Sequence, residues 1–298
     1  MRIFVIGATG YIGGSVAQAM RDDGHEVLGL ARTTDKAEQL RARGIEPALG
    51  TLFDAALITS AAQSADAIIN AADSDNPYVV TTLLDALRGS GKTLIHTSGS
   101  SIVGDRAGGH ASDVVYDDEQ TRPPPRLEKR GRASIDEAVA SAANHALRSI
   151  VICPSMVYGP GRGLHTQSVQ IPMLVRLARE FEAGAHIGPG ENRWSNVHID
   201  DLVDLYRVAL ASASAGAFLF AENGEASMRD IAAAISRKLG YSGKTVSISV
   251  MEAIRRVGAE AAEFALASNS RVQGRAARAI GWRPQRNDLL ESIEAGHL

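Results

Sequence analysis

The chain has 298 residues, 45% hydrophobic and 22% charged, a composition that excludes a disordered protein and allows one large domain or a large and a small one. Its 31 Lys and Arg against 34 Asp and Glu give a net charge of −3, which offers no electrostatic footprint for nucleic acid or an anionic membrane. The single cysteine, Cys153, excludes disulfides within the chain. No apolar run reaches the roughly 18 residues of a membrane span, and the first predicted strand leaves no room for a signal peptide. We therefore expect a cytoplasmic protein.

The first predicted strand leads directly into a glycine-rich turn. The apolar run over residues 3–6 is typical of a buried parallel strand, and three glycines follow at three-residue spacing before a helical segment. The first glycine permits a tight turn, the second lets the backbone approach a pyrophosphate, and the third allows close packing of helix on strand. This order predicts a dinucleotide site, with a purely structural glycine turn as the alternative. The expected contacts are Gly7, Thr9, Gly10, Tyr11, Ile12 and Gly13.

The end of the second predicted strand indicates which dinucleotide binds. An NAD site usually has an acidic residue here that accepts from the ribose 2′-hydroxyl, whereas this chain has Ala31 and Arg32, with Lys36 four residues on. A carboxylate would repel a 2′-phosphate, but a guanidinium binds one with several charge-assisted hydrogen bonds. The sequence therefore favours NADP(H) over NAD(H), and the alternative is that Arg32 is an ordinary solvated charge at a strand end.

Strands and helices alternate over about half of the chain. The pattern predicts helices over residues 35–43, 55–64 and 78–88, and strands over residues 25–31, 46–52, 67–72 and 93–98. Parallel neighbours need crossover helices, so this succession predicts an α/β protein with a parallel sheet and helices on both faces.

The pattern of alternation is interrupted after residue 99. Residues 100–131 are rich in Gly, Asp, Pro and charge, and a loop of this length in a folded domain is usually functional or mobile. A helix over residues 132–144 and a strand over residues 149–153 follow. Beyond them we expect few strands and mainly helices, over residues 171–182, 202–211, 228–239 and 251–267.

Four further motifs follow the glycine turn in chain order. They are Thr97-Ser98-Gly99 with Gly104, the run Pro-Ser-Met-Val-Tyr-Gly-Pro-Gly over residues 154–161, Val-His-Ile-Asp-Asp-Leu over residues 197–202, and Ile-Gly-Trp-Arg-Pro over residues 280–284. Together they span nearly the whole chain. With this order of motifs the chain resembles the extended short-chain dehydrogenase/reductase superfamily, which contains sugar-nucleotide epimerases, dehydratases and related reductases. The resemblance implies a doubly wound Rossmann domain over residues 1–160, with a return strand near 195–200. Residues 161–298 would form most of a small, mainly helical substrate domain, with the active site in the cleft.

The resemblance also implies a Tyr-x-x-x-Lys pair and a Ser or Thr at the end of the fifth strand. Counting back from residue 154 places Glu128 near the tyrosine position and Arg132 near the lysine position, and no tyrosine lies between residues 116 and 158. The serine position falls on Gly99, between Ser98 and Ser100. We therefore expect an atypical member that lacks the pair.

Arg132 could still hold the nicotinamide ribose, but a guanidinium does not shuttle protons at neutral pH. Proton transfer would then come from Ser98 or Ser100, from Tyr116, or from water. His110 in the same irregular loop is another replacement acid, unless it and Tyr116 are ordinary loop residues. Hydroxyls at the carboxyl end of a parallel strand lie where ligands bind in such sheets.

The remaining contacts are also implied by the resemblance. Thr51 stands where an acidic residue often accepts from the adenine, so adenine would contact the backbone near Leu52 and the small Ala71 and Ala72. The strand-end Thr97 belongs to the expected cofactor site, with the nicotinamide near Pro154 and Val157. The predicted substrate contacts are Arg162, His165, Gln167, Arg193 and Trp194, although Trp194 could equally be a core residue. His198, Asp200 and Asp201 alone do not make a metal site without further ligands, so no metal is expected.

The function that follows is an NADP(H)-dependent oxidoreductase or epimerase-like enzyme that acts on a small carbonyl or hydroxyl compound. The alternative is a non-catalytic NAD(P)-binding redox sensor, similar to the nitrogen-repression regulators of this superfamily, which lack the tyrosine. A pure sensor does not need the motifs over residues 162–201, which favours the enzyme, although fold alone does not fix function. The resemblance further implies a homodimer through the helices over residues 78–88 and 132–144.

Overall fold

The computed structural model describes residues 1–119 and 123–296, which form one large sheet and several small ones. In chain order the strands are β1 (Arg2–Ile6), β2 (Glu26–Ala31), β3 (Glu46–Leu49), β4 (Ala67–Asn70), β5 (Thr93–Thr97), β6 (Tyr116–Asp117), β7 (Arg148–Pro154), β8 (Met156–Tyr158), β9 (Gly184–Ile187), β10 (Arg193–His198), β11 (Ala217–Ala221), β12 (Glu225–Ser227), β13 (Thr245–Ile248) and β14 (Val272–Gln273). The α-helices are α1 (Tyr11–Asp22), α2 (Thr34–Ala42), α3 (Ala55–Ser64), α4 (Pro77–Leu87), α5 (Arg130–Ser141), α6 (Gln170–Phe181), α7 (Ile199–Ser212), α8 (Met228–Lys238), α9 (Val250–Val257), α10 (Arg275–Ala279) and α11 (Leu289–Ala295).

The main sheet has seven strands in the order β11-β7-β5-β4-β1-β2-β3, and every neighbouring pair is parallel. One face packs against α1 and α7 and the other against α3, α4 and α5, so the central strands are buried on both sides. Strand order reverses between β1 and β4, and such a switch point is where ligands bind in doubly wound sheets. The predicted α/β Rossmann architecture is confirmed.

The strand that returns to this sheet differs from the expectation. The strand near residues 195–200 is β10, which pairs with β8 and β12 in a separate three-stranded sheet. The main sheet is instead completed by β11, an apolar segment that pairs with β7 along its whole length. Helix α7 packs against α1 and carries the chain back to that edge, so residues 199–221 belong to the core of the large sheet rather than to a separate C-terminal unit.

The rest of the C-terminal part surrounds a second core. It is mainly helical, as predicted, with the short strands β9, β12 and β13 in addition. The helix predicted over residues 251–267 is interrupted, because α9 ends at Gly258 with φ of 83° and a π-helix follows over Ala261–Leu266. Both pieces lie at the mouth of the cavity described below.

Among the residues that the structure describes, every helix is too short or too polar to cross a membrane.

Candidate active site

The turn after β1 is packed too tightly for any residue except glycine at two positions. Gly7 has φ of 91°, and a Cβ there would lie 2.5 Å from the carbonyl oxygen of Ala71. A Cβ on Gly13 would lie 2.8 Å from the carbonyl carbon of Gly7 and closer still to its oxygen. The N-terminus of α1, at Gly10, has no side-chain cap. Its first N–H groups therefore remain available for an anion, which is what a pyrophosphate site requires.

Arg32 is exposed directly after β2, on the same edge of the sheet as this turn. Its guanidinium makes no hydrogen bond or ion pair with any described residue, while the next residue, Thr33, caps α2 by accepting from the Lys36 N–H at 3.3 Å. A free guanidinium at this position fits a ribose 2′-phosphate.

The positions predicted to surround the adenine follow β3 and β4. Asp54 accepts a hydrogen bond from the backbone N–H of Thr51 at 2.5 Å, so its carboxylate is engaged by its own loop. Leu52, Ala71 and Ala72 are half-buried.

Thr97, also predicted to contact the cofactor, points elsewhere. Its Oγ1 lies 2.5 Å from the Oη of Tyr206, and both side chains are buried. The Thr97 hydroxyl is therefore part of the core and not of the site.

A cavity of about 630 Å³ extends from the start of α1 to the C-terminal helices. It reaches the carboxyl ends of β5 and β7, where the resemblance places the reacting atoms. Its lining residues include Tyr11, Ile12, Ser98, Gly99, Ser100, Ser101, Lys129, Arg132, Pro154, Val157, Met173, Trp194, Glu260 and Phe264. The cavity thus joins the glycine turn to the predicted catalytic positions.

The Ser98 hydroxyl lines the cavity and is hydrogen-bonded to a buried carboxylate. Its Oγ donates to Oδ2 of Asp136 at 2.6 Å, and both residues are buried. The other oxygen of Asp136 lies 3.8 Å from His96 Nε2, and His96 Nδ1 lies 3.1 Å from the amide nitrogen of Asn70. Burial, and then the positive charge of Arg132, lower the pKa of His96 to about 4, so this histidine is neutral at pH 7. Sequence reasoning missed Asp136, although its position four residues after Arg132 places both on one face of α5.

Arg132 is held in the cavity wall by two partners. Its Nε donates to Asp75 Oδ1 at 3.0 Å, its Nη2 contacts Oδ2 of the same carboxylate, and its Nη1 donates to Ser101 Oγ at 2.9 Å. Burial disfavours the Arg132 cation, but the hydrogen bonds and charge of Asp75 outweigh it and raise its pKa. The guanidinium is therefore a fixed positive charge beside Gly99, at the position where the resemblance expects a lysine.

Glu128, near the predicted tyrosine position, is exposed and pairs with Arg106 and Arg126 outside the cavity. The residue that enters the cavity here is Lys129, whose ammonium is buried and pairs with Glu260. Sequence reasoning missed Lys129. The spacing of three residues between Lys129 and Arg132 could have indicated it, because residues three apart share a helix face.

The other proton-donor candidates are less favourably placed. Ser100 lines the cavity, but its Oγ lies 2.8 Å from Ser270 Oγ in the protein interior. Tyr116 lies in β6, beside β14 and outside the cavity, and burial followed by the charge of Asp105 raises its pKa. His110 is exposed and lies outside the cavity lining.

Of the five predicted substrate contacts, the structure brings only Trp194 into the cavity. Trp194 is 4% exposed, and its Nε1 donates to the carbonyl of Ser268 at 2.9 Å. Arg162 donates to Asp200 at 2.6 Å beside the start of α1, and Arg193 pairs with Glu225 at 3.3 Å. His165 and Gln167 are exposed on the loop before α6. Arg162 and His165 lie outside the cavity because the loop over residues 159–165 packs on α1 instead of entering the cleft, and Gln167 follows this loop. Arg193 lies on β10 and is held outside the cavity by Glu225.

Within residues 1–119 and 123–296, no three His, Cys, Asp or Glu side chains are grouped so that they could hold a metal ion.

Known proteins resemble this chain in sequence and in fold. The sequence profile of the NAD dependent epimerase/dehydratase family matches residues 3–218. The chain is 32% identical to oxidase ucsJ from Acremonium sp over 98% of this chain and 95% of that protein. It is 25% identical to 2-alkyl-3-oxoalkanoate reductase from Stenotrophomonas maltophilia over 86% of this chain and 81% of the relative. The structure of dTDP-glucose 4,6-dehydratase from Bacillus anthracis in complex with NAD superposes with a TM-score of 0.77, at 17% identity, and covers 99% of this chain and 96% of that one.

Proposed function

The chain belongs to the NAD dependent epimerase/dehydratase family, within the extended short-chain dehydrogenase/reductase superfamily, and from this premise we propose that it is an NADP(H)-dependent oxidoreductase of a small carbonyl or hydroxyl compound. Its membership, and relatives named as an oxidase and a reductase, identify an NAD(P)-dependent enzyme. The observation that carries the finer proposal is the cavity that connects the glycine turn with the Ser98 hydroxyl.

The residues present fit a dinucleotide. The uncapped start of α1 and the glycine turn would hold the pyrophosphate, Ala71 and Ala72 would lie beneath the adenine, and Pro154 and Val157 would border the nicotinamide. Arg132, already oriented by Asp75, would contact the ribose with its remaining N–H groups. When bound, the nicotinamide supplies the hydride acceptor or donor.

The preference for NADP(H) rests on Arg32. In the variant Arg32→Asp a carboxylate would face the 2′-phosphate in place of a guanidinium. We expect NADP+ affinity to fall by about 10- to 100-fold, the value of one or two lost charge-assisted hydrogen bonds, while NAD+ affinity changes by less than about threefold. Calorimetry with both dinucleotides measures this difference.

The matched control is Arg41→Asp, which makes the same charge change at an exposed position on α2. It should leave both affinities unchanged. Equal losses of affinity for NADP+ and NAD+ in the Arg32 variant would contradict the proposal that this residue binds the 2′-phosphate.

Ser98 and Asp136 are the proposed proton path. In the oxidative direction the substrate hydroxyl gives its proton to Ser98 Oγ as the Ser98 proton passes to the Asp136 carboxylate. In the reductive direction the same protons move back and neutralise the oxygen of the reduced carbonyl. The 2.6 Å hydrogen bond aligns the two groups, and exclusion of water keeps the proton on this path.

We expect Ser98→Ala and Asp136→Asn to lower kcat by about 10²- to 10⁴-fold, the usual contribution of a positioned acid–base group, with little change in the Kd for NADPH. Turnover of a carbonyl compound is followed by NADPH absorbance, and NADPH binding by fluorescence. Ser100→Ala and Tyr116→Phe test the two other candidates. A large loss of kcat in either of them, with Ser98→Ala active, would move the proton path to that residue.

The sensor alternative predicts a different result in the same measurements. A redox sensor would bind NADP+ or NADPH with a strong preference for one oxidation state and would turn over none of a broad panel of carbonyl compounds. Comparable affinities for both forms, together with NADPH consumption, support the oxidoreductase. The expected homodimer stays a prediction and is checked by light scattering.

A further inference from the structure

The part of the cavity beyond the predicted cofactor contacts has a distinct chemical character. We propose that it binds an uncharged carbonyl compound with a hydrocarbon substituent, and not a phosphorylated or nucleotide-linked one. This inference rests on the proposed function and specifies its substrate class.

The wall that faces away from the glycine turn is mainly apolar, and the amide of Gln170 is a polar group within it. It is formed by Val169 and Met173 at the start of α6, by Trp194 of β10, and by Val257 and Phe264 from the covering segment, residues 257–265. Met173, Trp194 and Phe264 are buried. A mainly apolar wall of this kind stabilises a hydrocarbon group by removing it from water and offers few hydrogen-bond partners to a hydroxyl-rich sugar.

The positive charges that reach the cavity are already neutralised. Arg132 is paired with Asp75, and Lys129 is paired with Glu260 of the covering segment. Arg162 and Arg193, the two arginines predicted to contact substrate, pair with Asp200 and Glu225 outside the cavity. Within the described residues no cation in the lining is left unpaired to compensate a pyrophosphate, and burying an uncompensated charge is strongly unfavourable.

The covering segment is held against the start of α5 by paired charges. Besides the Lys129 pair, Arg126 donates to Glu263 at 2.7 Å, and its guanidinium lies 3.8 Å from the centre of the Phe264 ring. Lys129 lies 4.8 Å from the same ring on the cavity side. These contacts fix the apolar wall in place, and they occupy the cations with protein groups instead of substrate.

Equilibrium binding tests the proposal without turnover. Calorimetry is carried out with 2-butanone, 2-heptanone, 2-nonanone and UDP-glucose on the protein alone and on the protein saturated with NADP+. We expect the ketone affinity to rise by up to about fourfold for each methylene that enters the cavity, and we expect no binding of UDP-glucose. UDP-glucose binding tighter than 2-nonanone, or ketone affinity independent of chain length, would overturn the proposal.

Two exposed apolar residues provide a matched pair of variants. Val169 is 71% exposed and lines the mouth of the cavity, whereas Met251 is 62% exposed on α9 and lies outside the lining. Val169→Asp should lower 2-nonanone affinity at least tenfold and Met251→Asp should not, and equal effects would show adventitious surface binding and overturn the proposal. NADP+ affinity is measured separately, so chain-length-dependent ketone binding without NADP+ binding would contradict the proposed function and leave this inference standing.

Discussion

Replacing Gly13 by alanine is expected to abolish NADP(H) binding and to destabilise the protein. The new Cβ would lie 2.8 Å from the carbonyl carbon of Gly7, and 3.2 Å from the Cβ of Ala71, with backbone rather than a flexible side chain in its way. Either α1 moves away from β1 or the turn opens, and both displace the N–H groups that would face the pyrophosphate. Overpacking of this kind costs about 1–3 kcal/mol of folding free energy. Urea denaturation and NADP+ calorimetry measure the two effects.

The control for this variant is Gly131→Ala, a second glycine in the first turn of a helix. A Cβ on Gly131 meets no atom within 4 Å. Alanine is favoured over glycine in helices, so this change should leave cofactor binding unchanged and alter stability by no more than about 1 kcal/mol, in the stabilising direction. Normal NADP+ binding by Gly13→Ala would show that α1 can shift without loss of the site.

Acidification from pH 6.5 to pH 4 is expected to lower the free energy of unfolding, and His96 is expected to contribute a large share of the loss. The pKa of His96 is about 4 in the folded protein, mainly because of burial, against 6.5 when unfolded. The unfolded chain therefore binds more protons between these pH values, and stability is retained above about pH 6.5 and lost as the pH falls towards 4. The difference corresponds to roughly 3 kcal/mol, since one pKa unit is worth about 1.4 kcal/mol.

Urea denaturation at several pH values measures this slope in the parent protein and in His96→Gln, which cannot titrate. The variant should lose some stability at pH 7, because the contact with Asn70 changes, but its stability should depend less on pH. Burial also lowers the pKa of His186 and of His198, which contribute with the same sign and remain in the variant. His165→Gln, at an exposed site, is the control, and an equal flattening there would contradict the assignment to His96.

Local patterns were sufficient to predict the strands β1 to β5 and the helices between them. The glycine turn depends on residues close together in the chain, and its strand and helix follow from local hydrophobic periodicity. Strand β11 could have been predicted in the same way, because Ala217–Ala221 is a short apolar run after Gly216. Nothing in the sequence of β10 distinguishes it from a strand of the main sheet, since strand pairing is set by tertiary packing.

The proposed catalytic site was harder to predict because its contacts join distant segments. Ser98 and Asp136 are 38 positions apart, and Lys129 and Glu260 are 131 positions apart. No periodicity links such pairs. Substrate contact at Arg162 was expected from its place after a motif, but the close packing of Gly163 on Gly14 draws this loop onto α1. Loop position after a motif is therefore weaker guidance than helix-face spacing, which would have identified Lys129 from Arg132.

Completion of the large sheet by β11 has a consequence for synthesis of the protein. When residue 160 has left the ribosome, six of the seven strands are available, but the outer edge of β7 has no neighbour until residues 217–221 emerge. At translation rates of about 5–20 residues per second, that edge stays open for several seconds. An unpaired apolar edge strand is a template for pairing with other chains. The nascent polypeptide therefore passes through an interval in which this edge is open to other chains, and its native topology is reached only after most of the chain has been translated.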